Sequence, residues 1–210
     1  ESAADFQLLE SLRWTPDEGY FLLGRHLQRL SESAEYFNFR LHMTTVEGAL
    51  TEATASLSGP GKVRLLANRR GQVECEATSL EKNALPVPLR VGLAREPVSS
   101  ADVRLYHKTT RREVYDVARA SRPDCDDVIL WNEHGELTET TIANLVLEID
   151  GRRYTPPVSS GLLAGTMRAN LLEQGEVTER VLLLGDLSQA SRIWLINSVR
   201  GRLPAIIHSS

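Results

Sequence analysis

The chain has 210 residues, 41% hydrophobic and 25% charged, enough to bury a full core as one large domain or two small ones. Ordinary apolar content without low-complexity tracts excludes a disordered chain, and a formal charge of −4 argues against nucleic acid as the main partner. The longest apolar runs, such as Val181-Leu182-Leu183-Leu184, are too short to cross a membrane, and two cysteines, Cys75 and Cys125, are too few for a disulfide framework, so a cytoplasmic protein is expected.

Glu1-Ser2-Ala3-Ala4-Asp5 lacks the basic-then-apolar layout of a signal peptide. Residues 6–23 read as a hairpin: Phe6, Leu8, Leu12 and Trp14 share a face at period two, interrupted by Glu10. Thr15-Pro16-Asp17-Glu18-Gly19 makes the turn and Tyr20-Phe21-Leu22-Leu23 returns. Leu27, Leu30, Ala34 and Phe37 predict a helix, and Thr44 with Glu47 suggests a capping box for a second, striped by Val46, Leu50 and Ala53. Residues 56–62 form a loop. Val63–Ala67 and Val73–Ala77 flank Asn68-Arg69-Arg70-Gly71 as another hairpin.

Residues 83–88 hold two prolines and no periodicity, Leu89–Ala94 reads as a strand, and Pro97–Asp102 as a loop. Here the boundary is placed, between a small N-terminal unit, 1–97, and a larger C-terminal unit, 98–210. Lys108 precedes a helix through Val114, Val117 and Ala118. Val128–Trp131, Leu145–Ile149 and Ile193–Ile196 are strand candidates, with turns at 132–135 and 150–151. Gly165 opens a helix ending near Gly175, and Asp186 caps a shorter one. Strands and short helices mix without a βαβ rhythm, which predicts an α+β fold rather than a Rossmann sheet.

Residue patterns alone say little about chemistry. There is no Walker loop, GxGxxG, HExxH, paired CxxC or GxSxG, and the five histidines show no metal-ligand spacing. No metal site is expected.

One stretch is more informative: Leu137-Thr138-Glu139-Thr140-Thr141-Ile142-Ala143-Asn144-Leu145, then Thr155, then Gly161-Leu162-Leu163-Ala164-Gly165-Thr166-Met167-Arg168. It resembles the signature of class IV aminotransferases, the fold type IV pyridoxal-phosphate enzymes. Glu139, Thr141, Asn144, Leu145, Thr155, Leu163, Gly165 and Arg168 match that pattern in order and spacing; Val146, Arg153 and Thr166 depart from it. Tyr106-His107-Lys108 lies where the family keeps its cofactor lysine, Arg25-His26-Leu27-Gln28-Arg29-Leu30 is similar to its phosphate-arginine stretch, and Trp194–Gly201 to its second phosphate loop. The family's strand ahead of Phe6 is mostly missing. Tyr106–Arg111, Ile196–Gly201 and Leu9–Trp14 further resemble aminodeoxychorismate lyases, above all the lyase domains fused to aminodeoxychorismate synthase.

The resemblance implies pyridoxal 5'-phosphate as cofactor, carried by Lys108 as a Schiff base; residue type alone would make Lys108 a solvated lysine at a helix start. It implies that Glu139 faces the pyridine nitrogen with Thr141 beside it. It also implies that Arg29, the Thr166 and Met167 backbone and Ser198 hold the phosphate, with Arg25 the fallback for Arg29. Helical periodicity alone leaves Arg29 solvated. Arg13, Arg200 and Arg202 are candidate anchors for substrate carboxylates, and Ser11 a candidate proton relay. The implied reaction converts 4-amino-4-deoxychorismate into 4-aminobenzoate and pyruvate, in folate synthesis. The alternatives are transamination of D- or branched-chain amino acids, or a non-catalytic remnant of the fold. A small-molecule substrate, a homodimer and a synthase partner are the expected associations, with neither nucleic acid nor membrane.

Overall fold

Glu10 breaks the apolar alternation of the first strand because it is buried by design of the fold rather than exposed. In the computed structural model, which describes residues 6–55, 57–81 and 85–208, the strand carrying it is β1 (Leu8–Thr15). The leader-free reading of Glu1–Asp5, and parts of the loops read at 56–62 and 83–88, lie outside those residues. The chain divides into two compact units, Glu1–Ala84 with His107–Arg111, and Leu85–Tyr106 with Arg112–Ser210. The division thus falls at 84/85 rather than 97/98, and the Lys108 segment folds with the first unit. Backbone pairing explains both shifts, as each segment joins the sheet of its own unit.

In the first unit, β1 lies between β2 (Gly19–Tyr20) and β3 (Gly61–Ala67), and β4 (Val73–Ser79) completes an antiparallel sheet. The return strand expected over 20–23 is cut short: Leu22 takes a left-handed conformation, φ 56°, and α1 (Leu23–Tyr36) begins. Leu8, Leu12, Val63, Leu65 and Ala67 pack against Leu30 and Ala34 of α1 and against Val46 and Leu50 of α2 (Met43–Thr54). The capping box at Thr44 does not form. The helix starts one residue earlier, after His42, and no side chain caps it. His107–Arg111 extends the sheet along β1: Leu8 bridges Thr109, the Leu9 N–H donates to the Lys108 carbonyl, and the Thr110 N–H to the Gln7 carbonyl.

The second unit holds an eight-stranded mixed sheet, β10-β9-β8-β11-β12-β5-β6-β7. Its strands are β5 (Leu89–Leu93), β6 (Asp127–Trp131), β7 (Leu137–Thr140), β8 (Asn144–Ile149), β9 (Arg152–Thr155), β10 (Thr178–Glu179), β11 (Arg192–Asn197) and β12 (Gly201–Ile207). β7 also pairs with β8, so six strands close into a barrel filled by Leu89, Val91, Ile129, Leu137, Leu145, Leu147 and Leu195. Three helices accompany it: α3 (Glu113–Ala120), α4 (Thr166–Glu173) and α5 (Asp186–Gln189). Asp186 is the first residue of α5, not its cap; its carboxylate accepts the Leu183 N–H and pairs with Arg180. Two matches to the family signature are structural. The Thr155 hydroxyl donates to the Leu145 carbonyl across the sheet, and buried Arg168 ties α4 to the Pro156 carbonyl and to Glu179. Helices and sheets mix as the α+β expectation has it. Among the described residues no helix is long and apolar enough to cross a membrane.

Candidate functional site

Each unit carries its own polar cluster. In the first, strand alternation decides what lies with what. Leu8, Glu10, Leu12 and Trp14 turn toward the helices, so Leu9, Ser11 and Arg13 turn to the opposite face. The antiparallel bridge of Leu8 to Thr109 sets Lys108 opposite Leu9 and therefore on that same face. Its neighbours in the chain anchor it from the other side. His107 sits against Tyr36 and Phe37, with its Nδ1 3.0 Å from the Ser33 hydroxyl, and Thr109 is buried. Burial holds the His107 imidazole below its ordinary value, toward the neutral form. The segment is thus pinned by alternate residues with Lys108 half-buried between them.

Arg13, half-buried on the same face, stacks its guanidinium 4.4 Å from the Phe21 ring centre, while its Nε is buried without a hydrogen-bond partner among the described residues. Arg29 lies with Glu10 on the helix-covered side. Its Nε and Nη2 grip the two Glu10 oxygens at 2.9 and 2.7 Å, and His26 Nδ1 reaches the same carboxylate at 2.7 Å. Periodicity left Arg29 solvated; it is instead 13% exposed, because a buried acid recruits it. Burial alone would raise the Glu10 carboxyl, but the Arg29 charge and hydrogen bonds from His26 and Arg29 outweigh it and hold the group at about 2.

In the second unit, register gathers the signature residues at one end of the barrel. Glu139 at the end of β7 pairs with Asn144 at the start of β8, which pairs in turn with Ile196 near the end of β11. Glu139 is 4% exposed. Its Oε1 accepts the Tyr115 hydroxyl at 2.8 Å and the Leu163 N–H at 3.0 Å, and Oε2 the Asn144 amide at 3.3 Å. Asn144 also donates to the Leu163 carbonyl, and its Oδ1 lies only 1.9 Å from where a Cβ on Gly165 would stand. Glycine at 165 lets α4 begin hard against the Glu139 network.

Thr166 at the head of α4 is buried, and Met167 packs its side chain into the cluster of Val146, Leu171, Val177 and Ile196, leaving its backbone at the helix N-terminus. Ser198 is buried in the turn between β11 and β12, where Asn197 Oδ1 accepts the N–H groups of Val199 and Arg200. Arg200 is half-buried, whereas Arg202 pairs with Glu176 near the surface. The Thr141 hydroxyl donates to buried Asp127, and its carbonyl accepts from Arg112.

Tyr115 has no signal in the sequence: the helix is predicted through Val114, Val117 and Ala118, yet Val117 is 68% exposed, and Tyr115 with Ala118 face inward. Among the described residues no cluster of three or more His, Cys, Asp or Glu could hold a metal.

Comparison with known proteins covers almost the whole chain. The family model for amino-transferase class IV matches residues 7–206. A Schizosaccharomyces pombe protein provisionally named aminodeoxychorismate lyase is 33% identical over 197 residues, 88% of this chain and 83% of its own. A Thermotoga maritima protein provisionally named branched-chain-amino-acid aminotransferase is 28% identical over 97% of this chain and 78% of its own. The crystal structure of a Mesorhizobium loti protein, provisionally an amino-acid aminotransferase, superposes with a TM-score of 0.91 at 34% identity, covering 97% of this chain and all of that one.

Proposed function

The chain belongs to the class IV aminotransferase family, and from that premise we propose that it is a lyase that converts 4-amino-4-deoxychorismate into 4-aminobenzoate and pyruvate. It is a pyridoxal-phosphate-dependent enzyme of fold type IV acting on a small molecule. Its residues fit that cofactor. A buried carboxylate held by hydrogen-bond donors suits a pyridinium nitrogen, and the head of α4, whose N-cap is a side-chain-free glycine, suits a phosphate.

When bound, pyridoxal phosphate supplies an electron sink for bond breaking at the carbon that bears the substrate amine. Lys108 holds the cofactor and, as a neutral amine, removes the proton from that carbon; the C–O bond to the enolpyruvyl group breaks, and the ring becomes aromatic. Glu139 holds the proton on the pyridine nitrogen. Arg29, the Thr166 and Met167 backbone and Ser198 bind the phosphate, with Thr141 bracing the Glu139 turn through Asp127. Arg13 and Arg200 orient the two carboxylates of the substrate. Ser11 relays a proton to the departing enol, which leaves as pyruvate.

One observation carries the choice of reaction: β-sheet register puts Lys108, Ser11 and Arg13 on one face, and the buried Arg13 Nε has no hydrogen-bond partner among the described residues. A hydroxyl and a guanidinium on the same face as the lysine suit a rigid diacid better than an apolar amino-acid side chain. The S. pombe relative's name supports the lyase reading and the T. maritima relative's name the alternative, transamination. A cytoplasmic homodimer feeding folate synthesis, taking its substrate from a synthase partner, completes the proposal.

Purified protein incubated with aminodeoxychorismate should release pyruvate and 4-aminobenzoate, with slow transamination at most. Brisk transamination of a D- or branched-chain amino acid without pyruvate would sink the lyase reading. Lys108→Ala should end both activities and abolish covalent labelling by the cofactor on borohydride reduction. Labelling that persists would mean another lysine carries it.

A further inference from the structure

Glu139 sits at 4% exposure, and groups from three places in the second unit donate to it. The Leu163 N–H comes from the loop before α4, Asn144 from β8, and the Tyr115 hydroxyl from α3. Tyr115 makes the shortest of these contacts, at 2.8 Å, against 3.3 Å for Asn144. Its ring is fixed independently of that bond, packed among Ala94, Leu105, Ala118, Val128 and Leu130. The Arg112 guanidinium lies 4.6 Å from the ring centre and donates to the Thr141 carbonyl, which locks the start of α3 onto the turn that follows Glu139.

We propose that Tyr115 is a positioning residue of the reaction, which orients Glu139 through its hydroxyl and so keeps the proton between Glu139 and the cofactor's pyridine nitrogen on the nitrogen. This rests on the role given to Glu139 above. A hydroxyl donating to a carboxylate stabilises the ionised form and makes it a weaker base. The proton between carboxylate and ring nitrogen then resides on nitrogen, where it sustains the electron sink. Tyr115 can donate throughout the working pH range, because burial and the Glu139 charge push its own hydroxyl well above 10; Arg112 opposes that shift and Asp102 adds to it.

Two measurements test this. Carbon-13 titration of the Glu139 carboxyl in cofactor-free protein should give a higher midpoint in Tyr115→Phe than in the unmodified chain. With ring-nitrogen-15 pyridoxal phosphate bound, the nitrogen shift of Tyr115→Phe should move toward the unprotonated value, with turnover about tenfold slower at unchanged KM, the loss expected for one hydrogen bond to a charged group. If Tyr115→Phe does not fold, 3-fluorotyrosine at 115 keeps the packing and, as a stronger donor, should lower the Glu139 midpoint. A Glu139 midpoint unmoved by either replacement would overturn the proposal. Glu139→Gln separates the layers. If it moves the nitrogen shift while Tyr115→Phe does not, Tyr115 alone is wrong; if it leaves the shift untouched, the Glu139 role falls as well.

Discussion

Two carboxylates, Glu10 and Glu139, are almost equally buried, at 2% and 4% exposure, yet they are held by different kinds of group. Glu10 is gripped by a guanidinium and an imidazole, so its charge is answered inside its own unit. Hydrogen bonds to Glu139 come from a phenol, a backbone N–H and a primary amide. Dipoles stabilise an anion without cancelling it, whereas a bidentate arginine satisfies it in place. On the proposed function, Glu10 serves the fold and Glu139 serves the cofactor's pyridine nitrogen.

Replacing each acid by its amide should therefore damage different properties. Glu139→Gln should slow turnover by roughly 10²- to 10³-fold, the scale of losing one electrostatic stabiliser. Folding stability should fall by no more than about 1 kcal/mol, because the amide oxygen can still accept from Tyr115 and Leu163 while the long Asn144 contact turns donor against donor. Near-normal kcat with a large drop in denaturant midpoint would reverse the assignment and make Glu139 the structural acid.

Glu10→Gln should show the opposite balance. Removing the charge strands Arg29 and His26 at buried positions, a change that costs about 3 kcal/mol or more when a buried pair loses one partner. Acid should reproduce it. Glu10 titrates at about 2 when folded, below its ordinary 4.5, so its contribution is fully present above that ordinary value and is lost as pH falls from about 4.5 toward 2. The shift corresponds to about 3 kcal/mol. Urea melts of the unmodified chain and the variant should converge over that range; parallel curves would show that Glu10 carries no such linkage.

The signature around Glu139 was legible because its residues are bound to local backbone needs. Gly165 must lack a Cβ beside Asn144, and Glu139 pairs with Asn144 across one tight turn, so spacing along the chain maps onto spacing in the site. The Glu10 network was not legible. Its members sit 16 and 19 residues apart, on a strand and a helix, and each looked like a fault in its own pattern: an acid on an apolar face, an arginine off an apolar stripe. Tyr115 was lost to phase. In the eight-residue α3, Val114, Val117 and Ala118 make as good a stripe as the one that packs, and only the barrel beside it decides. The strands β7, β9 and β12 escaped for a related reason, since polar and charged residues such as Glu139, Arg152 and Arg202 interrupt their alternation while neighbouring strands satisfy their backbones.

The smallest of these effects concerns Arg29, where the two kinds of acid meet. If Glu10 only neutralised Arg29, the arginine would have little left for an anion. The observed grip through Nε and Nη2 also fixes the plane and direction of the guanidinium. On the proposed function, Glu10 is then a brace that holds this orientation for the cofactor phosphate. Arg29→Ala should weaken pyridoxal phosphate binding by roughly 10- to 100-fold, the worth of a charge-assisted pair, while leaving the affinity for phosphate-free pyridoxal nearly unchanged. Arg25→Ala, half-buried one helical turn earlier, should do much less. Binding titrations with both ligands decide the matter. Equal losses for the two ligands would mean that Arg29 supports the fold alone, and a larger loss in Arg25→Ala would move the phosphate contact one turn toward the helix N-terminus.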